Sequence, residues 1–411
     1  MDLTFVLSKP IEGEPVGPLS PYIESYAALI RSQGYHPETI RLQLRLIGRL
    51  DQWLQISRFD LRGLNESVIQ QFFRRGLNRR WSNPSHPATL RRLLALLRSS
   101  GAIPRNKEAR PKSPTQSLVN NYRHHLLEQQ ALSEETVTSY GRCVREFLSD
   151  RFGVGPLELS RLRASEITEY VQRKAAGYGQ SMANILVCGL RSFFRYLRYA
   201  GQVNTDLAMV VPKVARWSLS GLPKHLSTAE VKRLLDHSDQ KTGLERRNYA
   251  ILLLLARLGL RGGEVSRLNL EDLDWRNAQI TVHGKGRRWA RLPLPEDVGR
   301  AIAGYLRGGR PRCSCRRVFI RNHAPHVGFQ RAHAISYIVK TALATAGVKS
   351  AHTGAHVLRH SLATTMLRNG ASLDEIGQLL RHKSPSTTAI YAKVEIDALR
   401  PLAMRWPGGA R

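Results

Sequence analysis

Four residues near the end of this chain have the types and spacing that chemistry at one phosphodiester requires. His356 and Arg359 stand three apart in a segment with helical apolar spacing, so a helix would present both side chains on one flank, and His382 and Tyr391 follow. A tyrosine attacks phosphorus only when its proton is removed and the developing negative charge meets fixed cations. An arginine suits the second task because its planar fork binds two phosphate oxygens and stays charged. The set predicts a phosphodiester site with Tyr391 as the nucleophile.

Three predicted helices must position these residues. Apolar spacing predicts the first helix, and Gly370 is expected to end it. Ser372 begins the second helix, since its hydroxyl can cap the first turn while Glu375 reaches back to the cap. The second helix runs to His382, and a third short helix delivers Tyr391.

The stretch from His356 to Tyr391 resembles the catalytic domain of the tyrosine recombinases, the phage integrase family. The signature of this family is H-x-x-R, then a second His or a Trp, then a Tyr roughly nine residues on. About a hundred residues before the H-x-x-R motif, the stretch from Leu260 to Glu264 resembles the family's first motif, G-L-R-x-x-E. The resemblance identifies Arg261 as the first active-site arginine, with Glu264 one turn behind it.

A lysine on a predicted β-hairpin completes the resemblance. After Trp275 the periodicity changes to two, Ile280 and Val282 alternate with polar neighbours, and a glycine-rich turn precedes a return strand. Lys285 at the tip of this hairpin resembles the lysine that the family carries on such a hairpin. The expected fold class is therefore mainly α with a small β-hairpin or sheet in the catalytic domain, an α+β arrangement.

The resemblance implies a mechanism and a role for each residue. Tyr391 attacks a backbone phosphate in line, forms a 3′-phosphotyrosyl link and frees a 5′-hydroxyl. The two arginines clamp the non-bridging oxygens. His356 shuttles the tyrosine proton, His382 donates a hydrogen bond to the phosphate, and Lys285 protonates the leaving oxygen. Glu264 orients the first arginine or His356. One ester replaces another of similar energy, so no ATP, metal or other cofactor is expected.

One position departs from the family pattern. The family usually has a glycine immediately before the second histidine, whereas this chain has Arg381. An arginine is expected to require an ordinary negative φ or a different local turn. The additional guanidinium could also contact a phosphate.

The composition points to a polyanionic partner. The chain has 411 residues, with 63 Lys and Arg against 32 Asp and Glu, a formal net charge of +31 and a sequence pI near 10.8. The positive charge is spread over the whole length. A merely solvated surface normally mixes both signs and stays near neutrality, so double-stranded DNA is the expected partner.

Two proline-rich, basic breaks, at residues 104–114 and 212–223, divide the chain. They predict a helical N-terminal domain over 1–110, a helical core-binding domain over 115–212, and a catalytic tyrosine recombinase domain over 222–411. The middle domain resembles the core-binding domain of the recombinases. The first would be an additional core-binding-like domain or an arm-type DNA-binding domain.

The two segments before residue 212 have one pattern of apolar residues. Leu90, Leu93 and Leu94 recur one hundred residues later as leucine or phenylalanine, and Gly101 recurs as Gly201. The pattern predicts two copies of one unit, and two unrelated all-α domains remain the alternative.

The N-terminus has no basic leader or long apolar core, so an unexported bacterial protein of the cytoplasm and nucleoid is expected, with no membrane partner. Four cysteines do not make a disulfide framework. Cys313 and Cys315, with His323 and His326 after them, present a minor alternative as a zinc site; free thiols are the commoner case.

Three functions fit these observations. The first is a site-specific recombinase or integrase of a mobile element, working on inverted-repeat sites as a homo- or hetero-tetramer, with companion recombinases in the second case. The apolar tail at 394–404 could dock on a neighbouring protomer or fold back. The second is a DNA relaxer of the type IB topoisomerase class, and the third is a catalytically silent DNA-binding accessory protein.

Overall fold

The computed structural model describes residues 17–76, 85–104, 113–153, 155–213, 225–284, 288–330, 332–350, 352–382 and 384–392. Lys285 and the tail at 394–404 lie outside the described residues. The chain divides into two compact units. Residues up to 105 group with residues from 221 onward, and residues 106–220 form the other unit.

Residues 17–104 form a helical bundle around its own apolar core. Its helices are α1 (Ser20–Ser32), α2 (Pro37–Ile56), a 3-10 turn (Leu61–Gly63), α3 (Glu66–Gln71), a π turn (Phe72–Gly76) and α4 (His86–Ser99). Tyr26, Phe72 and Leu97 are among the fully buried side chains of this core.

Residues 113–213 form a second helical bundle with a separate core. Its helices are α5 (Pro114–Glu128), α6 (Glu134–Phe152), a 3-10 turn (Leu159–Arg161), α7 (Ala164–Ala176), α8 (Gln180–Tyr199) and α9 (Leu207–Val210). Tyr122 and Phe193 pack edge to face in this core, with ring centroids 5.3 Å apart. Phe193 and Phe194, which are adjacent on α8, are both buried.

Residues 225–392 combine helices with a small sheet. The elements are α10 (Thr228–Asp236), α11 (Gly243–Leu258), α12 (Gly262–Arg267), a 3-10 turn (Leu270–Asp272), β1 (Leu273–Asp274), β2 (Gln279–His283), β3 (Trp289–Pro293), α13 (Glu296–Gly308), α14 (His333–Thr345), α15 (His356–Arg368), α16 (Leu373–Leu380) and α17 (Pro385–Thr388). The predicted α+β class with a small sheet is confirmed.

The sheet is an antiparallel meander in the order β1-β2-β3. Ile280 pairs with Leu292 and Val282 pairs with Ala290, so the predicted alternation places Ile280 and Val282 in the core. Residues 317–320 do not form a further strand of this sheet. Arg317 and Ile320 instead form isolated bridges to two different partners, Asn269 and Gly328, and a ladder requires consecutive pairs with one partner.

Helix α11 is the centre of the catalytic part. It is buried on nearly every side from Ala250 to Leu258, and it packs against α13 and α15. Thr242 caps its first turn through Glu245, and Gly259 ends it in the left-handed conformation at φ 57°.

The helical part at 17–104 and the catalytic part meet at a backbone contact within their unit. The His326 amide donates to the Gln33 carbonyl oxygen over 3.1 Å. Among the described residues, no helix is long and apolar enough to cross a membrane.

Candidate active site

Arg359 ties three helices together at the centre of the site. It projects from the first turn of α15 and is only 3% exposed. Its guanidinium donates to the carbonyl oxygen of Gly259, at the end of α11, and to that of Leu380, at the end of α16. These carbonyls lack helical partners because they lie in the last turns, so a buried cation satisfies them. Burial lowers the pKa of Arg359 to about 10, which leaves it charged at neutral pH.

A buried carboxylate lies between two further arginines. Glu264 accepts from the backbone amide of Arg261 over 2.9 Å and from its guanidinium over 2.8 Å. The guanidinium of Arg381 reaches the other carboxylate oxygen at 3.2 Å. Burial by itself raises the pKa of Glu264, but the Arg261 amide and the two guanidinium groups outweigh it and hold that pKa below its usual value. The ionised Glu264 therefore holds both Arg261 and Arg381.

Arg381 has a backbone conformation that glycine usually occupies. It ends α16 at φ 55° and ψ 48°, in the left-handed region, so the expectation of an ordinary φ is wrong. Glu264 balances the positive charge of its guanidinium, which also donates to the Leu379 carbonyl oxygen over 2.9 Å. The left-handed end keeps the glycine-like turn into His382 and adds a cation to the site.

Tyr391 is fully buried, and its hydroxyl contacts a histidine side chain. The hydroxyl is 2.9 Å from Nδ1 of His360, one helical turn after His356 on α15. Burial lowers the pKa of His360 to about 4, with further lowering by nearby His356 and Arg359, so the ring is neutral and its Nδ1 can accept a hydrogen bond from the Tyr391 hydroxyl. Burial also raises the pKa of Tyr391, although Arg359 and Arg261 oppose that rise.

His382 is a second histidine near the tyrosine ring. Its ring is parallel to that of Tyr391 within 7°, with centroids 6.4 Å apart. Its Nδ1 is 2.8 Å from the Thr388 hydroxyl on α17, which fixes the ring orientation. Burial lowers the pKa of His382 to about 4, and Arg359 and Arg261 lower it further, so the ring is neutral at neutral pH.

The described part of the β2-β3 hairpin ends beside this cluster. A Cβ placed on Gly284 would lie 3.8 Å from the nearer carboxylate oxygen of Glu264. The chain therefore enters the hairpin turn next to the Arg261–Glu264 pair. Among the described residues, no group of three or more His, Cys, Asp or Glu side chains is placed to hold a metal ion.

The arrangement can bind an anion and release a proton beside it. Two arginines pair with the single carboxylate of Glu264, and the charged Arg359 lies close enough to feel all three groups, which leaves an excess of positive charge. Arg261 retains 35% side-chain exposure, through which an anion can reach it. The neutral His360 is placed to take a proton from the buried phenol. These are the two requirements for a tyrosine that attacks phosphorus.

Comparisons with known proteins agree with this geometry. The phage integrase family model matches residues 224–397, and the phage integrase N-terminal SAM-like domain model matches residues 119–201. The putative integrase/recombinase y4rA of Sinorhizobium fredii is 43% identical over 408 residues, which cover 99% of this chain and 98% of that protein. The chain belongs to the phage integrase family of tyrosine recombinases. Members of this family are enzymes that cleave and rejoin DNA strands.

Other relatives give the same assignment for the recombinase. Tyrosine recombinase XerD of Listeria monocytogenes is 32% identical over 290 residues, which cover 67% of this chain and 94% of XerD. Among solved structures, XerH site-specific recombinase bound to a palindromic difH substrate has a TM-score of 0.57 at 18% identity, covering 72% of this chain and 98% of XerH. A lambda integrase dimer bound to a core site has a TM-score of 0.51 at 14% identity, with the same coverage of both chains. The solved structures share the fold.

The structure of the recombinase brings together all of the sequence-predicted site residues that it describes. They are Arg261, Glu264, His356, Arg359, His382 and Tyr391. Glu264 contacts the first arginine, one of its two predicted partners. Lys285 lies outside the described residues.

Sequence reasoning missed His360 as the neighbour of the nucleophile. The sequence predicts His356 as the proton shuttle. In the structure, the Tyr391 hydroxyl is within hydrogen-bond distance of His360, and the ring of His356 is a neighbour of His360, with centroids 6.4 Å apart. One signal was present in the sequence: His360 follows His356 by four residues, so both lie on the same helical face.

Proposed function

We propose that the recombinase cleaves one strand of duplex DNA by in-line attack of the Tyr391 oxygen on a backbone phosphorus. A 3′-phosphotyrosyl bond forms, the bond from phosphorus to the 5′ oxygen breaks, and a proton is delivered to that oxygen to give a 5′-hydroxyl. Attack by another 5′-hydroxyl reverses these steps and rejoins the strand. Ester replaces ester, so the exchange requires no ATP.

The hydrogen bond from the Tyr391 hydroxyl to His360 carries this proposal. A phenol with a raised pKa is a poor nucleophile until a base takes its proton. His360 Nδ1 is 2.9 Å away, within the reach that proton transfer requires. His360 therefore accepts the proton directly. His356, one turn earlier, serves as the next group in the relay or as a phosphate ligand.

The arginines stabilise the charge that develops on the non-bridging oxygens. Arg261 presents a partly exposed guanidinium held by Glu264, and Arg359 is held by two helix-end carbonyls. Donors fixed before substrate arrives need no reorganisation at the moment of reaction, and losing one such donor typically costs about 3–4 kcal/mol of transition-state stabilisation. His382 donates a further hydrogen bond through its second ring nitrogen, because Thr388 occupies the first.

Lys285 is the proposed general acid for the leaving 5′ oxygen. The position of Gly284 beside Glu264 supports this role, since the lysine is the next residue in the chain. Protonation of the leaving oxygen contributes typically about 10²–10⁴-fold to such reactions.

The biological setting follows from charge and from the relatives. The net charge of +31 supports duplex DNA as the partner, and similar solved structures are titled as recombinases bound to DNA. We place the protein in the bacterial cytoplasm, at the nucleoid, as the recombinase of a mobile element. This setting is supported by relatives named integrase/recombinase and by a transposon integrase of TM-score 0.50 and 18% identity. It acts on inverted-repeat sites as a tetramer, of identical protomers or with companion recombinases.

The domains of the proposal follow the apolar cores, of which the catalytic part has two. Residues 115–212 form the core-binding domain and residues 222–411 the catalytic domain, as the ranges of the two family matches support. Residues 1–110 form an additional N-terminal domain.

The test begins with the DNA site. Duplexes bound by Tyr391→Phe are selected from a random library, and a nick is then placed near the centre of the selected site to trap cleavage. Incubated in EDTA, wild type should give a covalent protein–DNA band on a denaturing gel, and Tyr391→Phe should give none. A missing wild-type band, although both proteins shift the DNA, would overturn the assignment of Tyr391.

The same complex separates strand exchange from relaxation. Adding a second duplex with a free 5′-hydroxyl should produce a joined strand from two parents, and cross-linking should trap four protomers. Relaxation of a supercoiled plasmid without joined products would instead support the topoisomerase-like function.

A further inference from the structure

The end of strand β2 is held by a buried carboxylate that the proposed mechanism does not use. Among the described residues, three acidic side chains are buried: Asp51, Glu264 and Asp272. Asp51 accepts from the Leu19 amide before α1, and Glu264 belongs to the active site. Asp272, in the 3-10 turn before β1, has Oδ1 2.9 Å from Nε2 of His283, the last residue of β2.

The carboxylate of this pair is buried, whereas its imidazole is exposed. The Asp272 side chain is 9% exposed and the His283 side chain is 52% exposed. The second carboxylate oxygen accepts from the Asn269 amide over 2.8 Å. A carboxylate only accepts hydrogen bonds, so Nε2 of the histidine carries the proton between the two side chains. The turn therefore fixes the carboxylate, and the carboxylate fixes the histidine ring.

This bond lies where β2 has lost one of its two neighbouring strands. Strand β1 pairs with only the first two residues of β2, Gln279 and Ile280. Beyond them the described ladder continues with β3 alone, through His283 and then from the Gly284 amide to the Arg288 carbonyl oxygen at 2.7 Å. A two-stranded ribbon is only marginally stable by itself. Since the carboxylate directly precedes β1, its bond to the histidine supplies a second anchor on the side that β1 leaves open.

The anchored strand end lies at the active site. Gly284 follows His283, and a Cβ placed on this glycine would lie 3.8 Å from a carboxylate oxygen of Glu264. Lys285, the proposed general acid, is the next residue in the chain. Two residues of chain span at most about 7 Å, so the position of the histidine limits where the lysine can act.

Protonation of a leaving group depends strongly on such placement. Proton transfer requires donor and acceptor atoms about 2.6–3.2 Å apart. A displacement of about 1 Å can lower a rate about 100-fold, even when its origin is remote from the reacting atoms. Loss of the anchor is therefore expected to slow the step that releases the 5′ oxygen.

We propose that His283, held by Asp272, is a positioning residue for protonation of the leaving 5′ oxygen. It fixes the end of β2, and with it the point from which the chain enters the hairpin turn. The inference rests on the proposed function, because it takes Lys285 as the general acid. His283 transfers no proton itself, so an amide donor of similar reach can replace it.

The test compares two leaving atoms in the nicked duplex. One substrate has the normal 5′ oxygen at the bond that is cleaved, and the other has sulfur in its place. A thiol has a pKa of about 8.5, so the sulfur leaves as a thiolate and needs no proton donor. The rate of covalent complex formation is measured for both substrates with the full-length protein in EDTA.

The expected pattern is a defect that only the oxygen substrate shows. His283→Ala should cleave the oxygen substrate about 10-fold to 100-fold more slowly than wild type, and the sulfur substrate at nearly the wild-type rate. Lys285→Ala should show the same pattern with a larger defect of about 10²–10⁴-fold. His283→Gln keeps an N–H donor for Asp272 and should restore cleavage of the oxygen substrate.

A matched control weakens the same strand without breaking the anchor. Thr281 lies two residues before His283 on the same face of β2. Thr281→Ala removes a β-branched side chain but leaves the bond to Asp272 in place, so both substrates should be cleaved at wild-type rates. An oxygen-specific defect in Thr281→Ala as large as that in His283→Ala would overturn the specific role of the histidine.

The remaining outcomes separate this inference from the proposed function. The positioning role is wrong if His283→Ala cleaves the oxygen substrate normally, or if sulfur does not restore its rate although it restores that of Lys285→Ala. A His283→Gln variant as slow as His283→Ala would show that the imidazole transfers a proton, which also overturns the positioning role. Failure of sulfur to restore Lys285→Ala would remove the lysine as general acid. A wild-type protein that cleaves neither substrate would overturn the proposed function itself.

Discussion

At the scale of single residues, each charged side chain of the site has a fixed partner, and the nucleophile lies beside a neutral histidine. Glu264 is ionised between two guanidinium groups, and the charged Arg359 is stabilised by hydrogen bonds to two backbone carbonyls. His360 is left neutral beside the phenol of Tyr391. A phosphate entering beside Arg261 would therefore meet cations that are already fixed.

The role of His360 predicts a defect in cleavage without a defect in binding. In His360→Asn, the rate of covalent complex formation on the nicked duplex should fall by about 10²–10³, because no base accepts the phenol proton. The rate should recover as pH rises toward the pKa of tyrosine, a dependence that a purely structural loss would not give. If His360→Asn cleaves at the wild-type rate and His356→Asn is defective, then His356, and not His360, accepts the phenol proton.

The backbone of Arg381 predicts an unusual order of stability. Arg381→Gly and Arg381→Ala both remove the partner of Glu264, but only glycine is relaxed at φ 55°. Arg381→Gly should therefore be more stable than Arg381→Ala by about 1–2 kcal/mol in urea denaturation. Equal stabilities would mean that the segment leaves the left-handed region when the guanidinium is removed.

At the scale of secondary structure, the site is built where helices end. The ends of α11 and α16 supply carbonyls to Arg359, and the start of α12 supplies the amide that Glu264 accepts. Helix termini have backbone N–H and C=O groups without helical partners, and these groups form hydrogen bonds with the charged side chains of the site. The position of each terminus thus determines where the charges lie.

The end of α11 gives a test of this arrangement. A Cβ on Gly259 would lie 2.7 Å from the Leu380 side chain, whereas a Cβ on Gly370 would have nothing within 4 Å. Both glycines have positive φ, so alanine costs about 1–2 kcal/mol at either position. Gly259→Ala should lose more stability than that, and cleavage with it, because Arg359 is displaced.

Gly370→Ala is the matched control. It should keep its cleavage rate and lose only the stability that the positive φ costs an alanine. Chemical denaturation and the nicked-duplex assay measure the two effects. Similar losses in both variants would show that the contact with Leu380 is unimportant.

At the scale of the whole molecule, charge and burial together determine how the protein responds to its surroundings. The chain carries +31 charges, and it buries histidines of low pKa around the nucleophile. The first feature makes DNA binding depend on salt, and the second makes folding depend on pH.

The pH dependence has a definite sign. His360 and His382 have pKa values of about 4 in the folded protein and about 6.5 when unfolded. Between these values the unfolded chain binds more protons, so stability should decrease as pH falls from about 6.5 toward 4. Thermal unfolding of wild type between pH 7 and pH 4.5 should show this decrease.

His360→Asn with His382→Asn should flatten the same profile, because neither asparagine titrates. A profile that declines equally in the variant would assign the pH dependence to other groups.

Local sequence determined much of this fold. The capping box at Ser372 and the end of α15 just before Gly370 are where the sequence predicted them, because each depends on residues within one turn. The hairpin was predictable for the same reason, since alternation along a strand reports which face is buried. The family followed from H-x-x-R, the second histidine and the tyrosine at their spacing.

Tertiary packing alone decided which groups touch. Tyr391 contacts a histidine 31 residues away along the chain, and Arg359 contacts a carbonyl 100 residues away. Contacts at such separations produce no periodic pattern in the sequence. Arg381 has a left-handed φ, and its side chain contacts Glu264, 117 residues earlier. The sequence by itself determined the helices, the charge and the kind of chemistry. The fold decided the neighbours of the nucleophile, because contacts between distant residues depend on how whole elements pack.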